Sequence, residues 1–205
     1  MKKAFLIAIL ITLSPLTWSA TTDTTSQFQA GIHYDIMSPG VSTESNKTVM
    51  YEFFGYTCPG CNAMQPVVNE IEENADFELI RVPVVFHSTW EPYAKTYHTL
   101  ELMNLTEKTH AAIFKAIHVN KKIMRDIEQI ADWLSASFDI DKAQFISMSQ
   151  SFAVDGKMRQ AEKLRQSLNV TNTPTMIING KYKLNNAKLA TKTNIVKLSQ
   201  ELLNK

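Results

Sequence analysis

Residues 48–61 read TVMYEFFGYTCPGC, and this stretch decides the fold. Its first half, residues 48–54, is a β-type run with apolar residues on both faces, which is typical of a central strand. Residues 55–57 then turn the chain into a helix that starts near Cys58. We therefore expect a strand, a turn and a helix that place Cys58 and Cys61 in the helix's first turn.

The spacing of these two cysteines indicates redox chemistry. Residues three apart in a helix lie on one face, about 5–6 Å apart, a separation that a disulfide tolerates. Cys58 lies where the helix has unpaired N–H groups and a positive dipole, so the pKa of its thiol should fall. Pro59 suits the next position, because its missing N–H would be unpaired there anyway. Cys61 should be more buried and closer to an ordinary thiol, so we predict that Cys58 is the exposed sulfur attacked by substrate and Cys61 the resolving thiol.

The cysteine pair has two alternative interpretations. A zinc site needs four ligands, but the chain has two cysteines and five histidines, and the histidines are dispersed along the sequence. We therefore expect no metal and no other cofactor. An inert structural disulfide is the second alternative, but a loop of four residues constrains the unfolded chain little. Redox catalysis is the preferred interpretation.

Glu52 is a candidate proton acceptor and donor for Cys61. It shares strand parity with Met50 and Phe54 inside an apolar run, so its carboxylate should be partly buried and its pKa raised. Arg81 sits similarly in the next apolar strand and could be its charge partner. The alternatives are that Glu52 is an edge residue facing water and that Arg81 extends outward into solvent.

Residues 1–20 have the layout of a secretory signal peptide, with two lysines, an apolar run and then small residues. Cleavage after Ser19 or after Ala20 stays open, and an uncleaved anchor is the alternative. Cleavage removes two lysines and no acids, which moves the formal charge from +1 to −1. Such a balanced charge gives no reason to expect nucleic acid as a partner.

The remaining sequence predicts an α/β domain that is split by helices. The first part of the domain spans 27–87, an all-helical insertion spans 88–154, and the second part spans 155–205. The predicted strands are 33–36, 48–54, 77–86, 175–178 and 181–184, with a type I′ turn at Asn179-Gly180. The predicted helices start near Cys58 and then span 91–104, 106–119, 126–138, 141–152, 155–168 and 190–203, and Asp126 is expected to cap one of them.

Several segments together resemble the DsbA family of thioredoxin-fold oxidases. They are residues 51–54 running into 58–61, the segment TPTMIINGKY at 173–182, Gly31 with Tyr34, and the helical insertion. The resemblance implies a thioredoxin fold, a central mixed sheet flanked by helices, with an inserted all-helical domain. It also implies that the protein oxidises newly exported proteins in the bacterial periplasm. Pro174 is then expected to be a cis proline beside the cysteines, with the Thr173 backbone pairing with a substrate strand.

Three residues depart from that pattern. Gly60 stands where the family usually has His, so we expect a less depressed Cys58 pKa and a weaker oxidant. Thr173 is commoner in the related isomerases and reductases, and Pro66 matches a kink of thioredoxin itself. A disulfide isomerase or reductase on the same fold is therefore the nearest rival function, and a non-catalytic chaperone or metal-carrier module is a more distant one.

The resemblance also bears on partners. It implies a quinone-linked membrane protein, DsbB, that reoxidises the cysteine pair. The roughly 27 residues between the signal peptide and the first long strand are too few for a dimerisation domain, since a domain needs about 50 residues or more. We therefore expect a monomer.

Overall fold

The structure is a computed structural model that describes residues 26–38 and 47–205. The predicted signal peptide, with its cleavage site, lies outside these residues. Within the described ranges, none of the helices combines the length and the apolar character that crossing a membrane requires.

A five-stranded mixed sheet forms the centre of the fold, in the order β1-β5-β4-β2-β3. The strand β2 runs parallel to β3 and antiparallel to β4, so it is an inner strand as predicted. All six of its side chains are buried, because both faces of the sheet are covered by helices. The strands are β1 (Tyr34–Ile36), β2 (Val49–Phe54), β3 (Glu78–Pro83), β4 (Thr175–Ile178) and β5 (Tyr182–Leu184).

Alternate residues of β2 enter different cores. Met50 packs with residues of the helices α1 (Pro59–Glu73) and α7 (Lys192–Leu203). Residues 49, 51 and 53 point to the other face, where Ala161 of α6 (Phe152–Ser167) joins them. The α/β thioredoxin fold predicted from the sequence is confirmed by this layered arrangement.

Four helices stand in the chain between β3 and α6, after a short 3-10 turn at Ser88–Trp90. Their apolar faces form a third core, which also receives Phe54 from the end of β2. The ring of Phe54 lies 5.3 Å from that of Tyr97 and 6.0 Å from that of Phe114, centroid to centroid. The four helices therefore pack directly against the segment that carries the cysteines. They are α2 (Glu91–Leu102), α3 (Thr106–His118), α4 (Ile127–Phe138) and α5 (Lys142–Ser149).

Local signals explain where the predicted bounds are right and where they are wrong. Asp126 caps α4 by accepting a hydrogen bond from the Gln129 N–H at 2.8 Å, as predicted. Helix α6 begins at Phe152 rather than at 155, because the Ser151 hydroxyl accepts from the Val154 N–H. Helix α5 correspondingly ends at Ser149 instead of 152. The strand expected at 77–86 pairs with β2 only over 78–83.

The turn at Asn179-Gly180 is confirmed. Both residues have positive φ, 52° and 61°, as the central pair of a type I′ turn requires. The Lys181 N–H donates to the Ile178 carbonyl at 3.0 Å and closes the turn. This hairpin sets β5 beside β4, whose first residue follows Pro174.

Candidate active site

Cys58 is the residue that caps the N-terminus of α1. Its backbone is extended, with φ −81° and ψ 115°, and its Sγ accepts a hydrogen bond from the Cys61 N–H at 3.2 Å. Pro59 occupies the first helical position, as predicted. A sulfur at this place accepts a hydrogen bond from a backbone N–H that has no partner within the helix, and it lies at the positive end of the helix dipole. Both cysteines are present as free thiols.

The pKa values of the two thiols are shifted in opposite directions. The pKa of Cys58 is lowered to about 6, first by the hydrogen bond from the Cys61 thiol and also by the Thr173 side chain and the backbone N–H groups of Cys61 and Gly60. The pKa of Cys61 is raised, first by that same hydrogen bond and then by burial. The expectation that Cys61 resembles an ordinary thiol is therefore wrong, because its proton is shared with the neighbouring thiolate.

The order of exposure is as predicted, but the expectation of an exposed Cys58 is wrong. Only 7% of Cys58 is exposed, against 0% of Cys61. The reason is the segment before β4. Its Thr173–Pro174 peptide bond is cis, as the resemblance implied, and the protonated Cys58 Sγ donates to the Thr173 carbonyl at 3.7 Å.

Gly60 is held close to the cis proline. A Cβ on Gly60 would lie 3.1 Å from Pro174 Cδ and 3.9 Å from Cys58 Sγ. The first distance is shorter than an ordinary carbon–carbon contact of about 3.5–4.0 Å. Gly60 therefore allows the cysteine helix and the proline segment to approach more closely than a side chain would permit.

Glu52 and Arg81 form a buried ion pair on adjacent strands. Glu52 is 0% exposed, and Arg81 Nε lies 3.2 Å from its Oε2. The alternatives of a water-facing Glu52 and an outward Arg81 are wrong, because α1 covers this face of β2. Burial raises the pKa of Glu52, although Arg81 and a hydrogen bond from Gln65 Nε2, 2.9 Å from Oε1, oppose that rise.

Sequence reasoning missed four residues around this pair: Tyr56, Gln65, His110 and His118. His110 Nε2 contacts Gln65 Oε1 at 3.1 Å, and His110 Nδ1 contacts the Tyr56 hydroxyl at 2.9 Å. His118 Nε2 also contacts the Tyr56 carbonyl at 2.8 Å. No motif marks these residues, since His110 and His118 lie on α3, far along the chain. Their helical spacing of eight residues, which puts both on one face of α3, was the available signal.

The structure thus groups the predicted residues in two sets. Residues 58–61 and 173–174 meet at the start of α1, whereas Glu52 and Arg81 pair on the sheet beneath that helix. Gln65 lies on α1 one turn beyond Cys61 and donates to Glu52 Oε1 at 2.9 Å. Within residues 26–38 and 47–205, no group of three or more His, Cys, Asp or Glu side chains is arranged to hold a metal ion.

A low-pKa cysteine at a helix start, a second cysteine one turn on and a cis proline beside them are the arrangement expected of a thiol:disulfide oxidoreductase of the thioredoxin fold. The DSBA-like thioredoxin domain family matches residues 49–194. The thiol:disulfide interchange protein DsbA of Pseudomonas aeruginosa is 33% identical over 208 residues, which cover 100% of this chain and 97% of that protein. The chain therefore belongs to the DsbA family.

Further relatives agree with this assignment. The thiol:disulfide interchange protein DsbA of Burkholderia cepacia is 34% identical over 160 residues, which cover 75% of this chain and 74% of that protein. The crystal structure of Pseudomonas aeruginosa DsbA superposes with a TM-score of 0.79 at 32% identity, covering 86% of this chain and 93% of that one. The oxidoreductase DsbA from Xylella fastidiosa, at 21% identity, matches the fold with a TM-score of 0.75 over 84% of this chain and 94% of that one. The predicted family, fold and enzyme class are confirmed.

Proposed function

We propose that the protein donates its Cys58–Cys61 disulfide to exported proteins in the periplasm, and so acts as a dithiol oxidase. The observation that carries this proposal is the position of Cys58 as the capping residue of α1, with its pKa lowered to about 6. At neutral pH most of the reduced Cys58 is then a thiolate. Stabilising the reduced form raises the reduction potential, which favours oxidation of the substrate.

The reaction proceeds in two exchanges. A substrate thiolate attacks Cys58 Sγ, the Cys58–Cys61 bond breaks, and Cys61 leaves and takes up a proton. A second substrate thiolate then attacks the substrate sulfur of the mixed disulfide, and Cys58 leaves as a stabilised thiolate. The substrate loses two electrons, which the cysteine pair gains.

Glu52 is the proposed proton donor and acceptor for Cys61. Because the pKa of Cys61 is raised, its sulfur must gain a proton when it leaves and lose that proton when it attacks. Glu52 is buried beneath α1 with a raised pKa, and Arg81 fixes it from the next strand. A carboxyl group in such surroundings can exchange protons near neutral pH.

Thr173 and Pro174 are proposed to bind the substrate. The backbone of Thr173 lies beside Cys58, just before β4 begins, where an extended peptide can pair with it. Pro59 and Gly60 support this site by starting the helix and by allowing the close approach of Pro174. We also propose that the helical insertion in the thioredoxin fold spans residues 88–154, as the sequence predicts.

The proposal extends to partners. A DsbB-like, quinone-linked membrane protein would reoxidise the cysteine pair after each cycle, and the enzyme would work as a monomer. Light scattering of the mature protein tests the monomer, and reoxidation by membranes with and without quinone tests the partner.

The direction of electron flow is tested by equilibrating the protein with glutathione buffers. An oxidase stays reduced in buffers that oxidise a reductase, whereas a non-catalytic module shows no exchange. Gly60 and Thr173 are the features from which the sequence suggests an isomerase or reductase, an alternative that the matched DsbA relatives do not favour, and a low reduction potential would contradict the oxidase.

The cysteine roles are tested by two matched variants. Cys58→Ser should abolish exchange, because it removes the attacked sulfur, whereas Cys61→Ser should accumulate mixed disulfides with substrates. Full exchange activity in Cys58→Ser would contradict the proposal.

A further inference from the structure

A chain of hydrogen bonds runs from the helical insertion to Glu52. The Tyr56 hydroxyl contacts His110 Nδ1 at 2.9 Å, His110 Nε2 contacts Gln65 Oε1 at 3.1 Å, and Gln65 Nε2 contacts Glu52 Oε1 at 2.9 Å. His110 is 7% exposed and Glu52 is 0% exposed, so the partners on both sides of Gln65 are buried, whereas Gln65 itself is partly exposed. Tyr56 belongs to the turn before Cys58, Gln65 to α1 and His110 to α3.

The protons of this chain can be placed. Gln65 uses its amide N–H on the carboxylate, so its Oε1 accepts, and His110 Nε2 must carry the hydrogen. Burial lowers the pKa of His110 to about 3, so the ring is neutral and its Nδ1 is a bare acceptor. Burial also holds the pKa of Tyr56 well above its usual range, so the hydroxyl keeps its proton and donates it to Nδ1. In each of the three hydrogen bonds, the residue farther from Glu52 is therefore the donor.

The two oxygens of Glu52 consequently differ. Oε1 receives the Gln65 N–H, and a proton on that oxygen would displace the donor. Oε2 faces Arg81 Nε at 3.2 Å, but among the described residues neither atom has a hydrogen bond of good geometry. Oε2 thus pairs with Arg81 through charge but accepts no hydrogen bond of good geometry, so it is the oxygen on which a proton displaces no hydrogen-bond donor.

We propose that Gln65 and His110 are positioning residues of the redox reaction, which fix Glu52 Oε1 as an acceptor and leave Oε2 to exchange the proton of Cys61. This inference rests on the proposed role of Glu52. It assigns a second task to the helical insertion, because His110 of α3 sets the proton affinity of an acid on the central sheet.

The remaining surroundings of Glu52 do not provide an equivalent donor. The titratable groups that act on it or sense its charge are Arg81 on β3, Glu72 on α1, Tyr97 on α2 and Tyr56. Glu72 is an anion that also contacts Arg81, at 3.4 Å from its Nη2. Gln65, His110 and Arg81 all line one cavity of about 280 Å³, so the groups that hold both oxygens border a space that can admit water.

The test is a carbon-13 NMR titration of the Glu52 carboxyl group in the reduced full-length mature protein, assigned by comparison with Glu52→Gln. His110→Phe keeps a ring among Phe54 and Phe114 but removes the donor to Gln65. Without His110 to hold its Oε1, Gln65 donates less firmly to the Glu52 carboxylate, which weakens a hydrogen bond to a charged group. The proton affinity of Glu52 should therefore rise about tenfold. His110→Gln restores an amide donor near Nε2 and should return the affinity towards the wild-type value.

Two further variants control for structural damage. His98→Phe alters another buried histidine of the insertion, one that contacts Glu101 rather than this chain, and should leave Glu52 unchanged. Gln65→Leu, at a partly exposed position on α1, removes the direct donor and should raise the proton affinity of Glu52 even where His110→Phe folds poorly. An unmoved Glu52 titration in a folded His110→Phe or Gln65→Leu variant would overturn the inference.

A kinetic measurement separates this inference from the role of Glu52 itself. The Cys58 thiolate attacks oxidised glutathione, the glutathione disulfide bond breaks, and one glutathione thiolate leaves as the mixed disulfide forms on Cys58. Cys61 then gives its proton to Glu52 and attacks Cys58 Sγ as a thiolate, which releases the second glutathione. We expect His110→Phe to shift the pH profile of that release in the same direction as the NMR titration. If Glu52→Gln leaves the profile unchanged, the proposed role of Glu52 fails. If only His110→Phe leaves it unchanged, the positioning role alone fails.

Discussion

Replacing Thr173 by valine removes the hydroxyl that helps to lower the pKa of the Cys58 thiol, while it keeps the shape of the side chain and the backbone carbonyl beside Cys58 Sγ. The Thr173 hydroxyl is among the groups that lower the pKa of Cys58 to about 6. A hydrogen bond to a charged group contributes about 1.5–3 kcal/mol, and one pKa unit corresponds to about 1.4 kcal/mol. Because the Thr173 hydroxyl is a smaller cause than the Cys61 thiol, we take the lower figure and expect the pKa to rise by about one unit. The same energy lowers the reduction potential by about 30 mV.

The pH dependence of iodoacetamide alkylation of the reduced protein measures this change, and equilibrium with glutathione measures the potential. Thr175→Val is the matched control, because its hydroxyl contacts the Asn172 carbonyl at 2.9 Å and is not among the groups that shift the Cys58 pKa. The control should leave both quantities at the wild-type value. If Thr173→Val leaves the pKa and the potential unchanged, the hydroxyl does not stabilise the thiolate and the reasoning is refuted.

Three further predictions concern stability. Gly55→Ala should lower the free energy of unfolding by about 1–3 kcal/mol in urea, because its Cβ would lie 2.5 Å from the Trp90 ring, and an unchanged midpoint would contradict that contact. Asp126→Ala should cost about 0.5–2 kcal/mol by the same measurement, since it removes the cap of α4, whereas Asp126→Asn should be nearly neutral. Ionised Cys58, with a folded pKa of about 6 against about 8.5 unfolded, stabilises the reduced protein fully above the higher value. That stabilisation is lost as the pH falls through about 6, so the reduced form should lose stability relative to the disulfide form between about pH 8 and 5. The free energies of unfolding of the two forms, measured in urea across this pH range, test this, and a constant difference between them would contradict it.

The sequence predicted the elements well where a local pattern determines the structure. An apolar run with both faces filled identified β2 as an inner strand, and Asn179-Gly180 identified the turn from its need for positive φ. Element ends were less certain, because a single side-chain cap decides them. The Ser151 cap moved the start of α6 by three residues from the predicted position.

The residues of the candidate site also differ in how well the sequence predicts them. Cys58, Cys61 and Glu52 were found because they lie within one strand–turn–helix stretch, where spacing and parity place the side chains. His110 was missed, because its contact with Gln65 joins residues 45 positions apart through the packing of α3 on α1. The exposure of Cys58 was overestimated for a similar reason, since the covering segment at Thr173 is 115 positions away.

The account depends on the Cys58 thiolate being stabilised at the start of α1. The most direct measurement is the ultraviolet absorbance of the thiolate in the reduced protein as a function of pH, with Cys58→Ser as the blank. The account predicts a single transition near pH 6, well below that of free cysteine at about 8.5. A transition at the pH of free cysteine would contradict it.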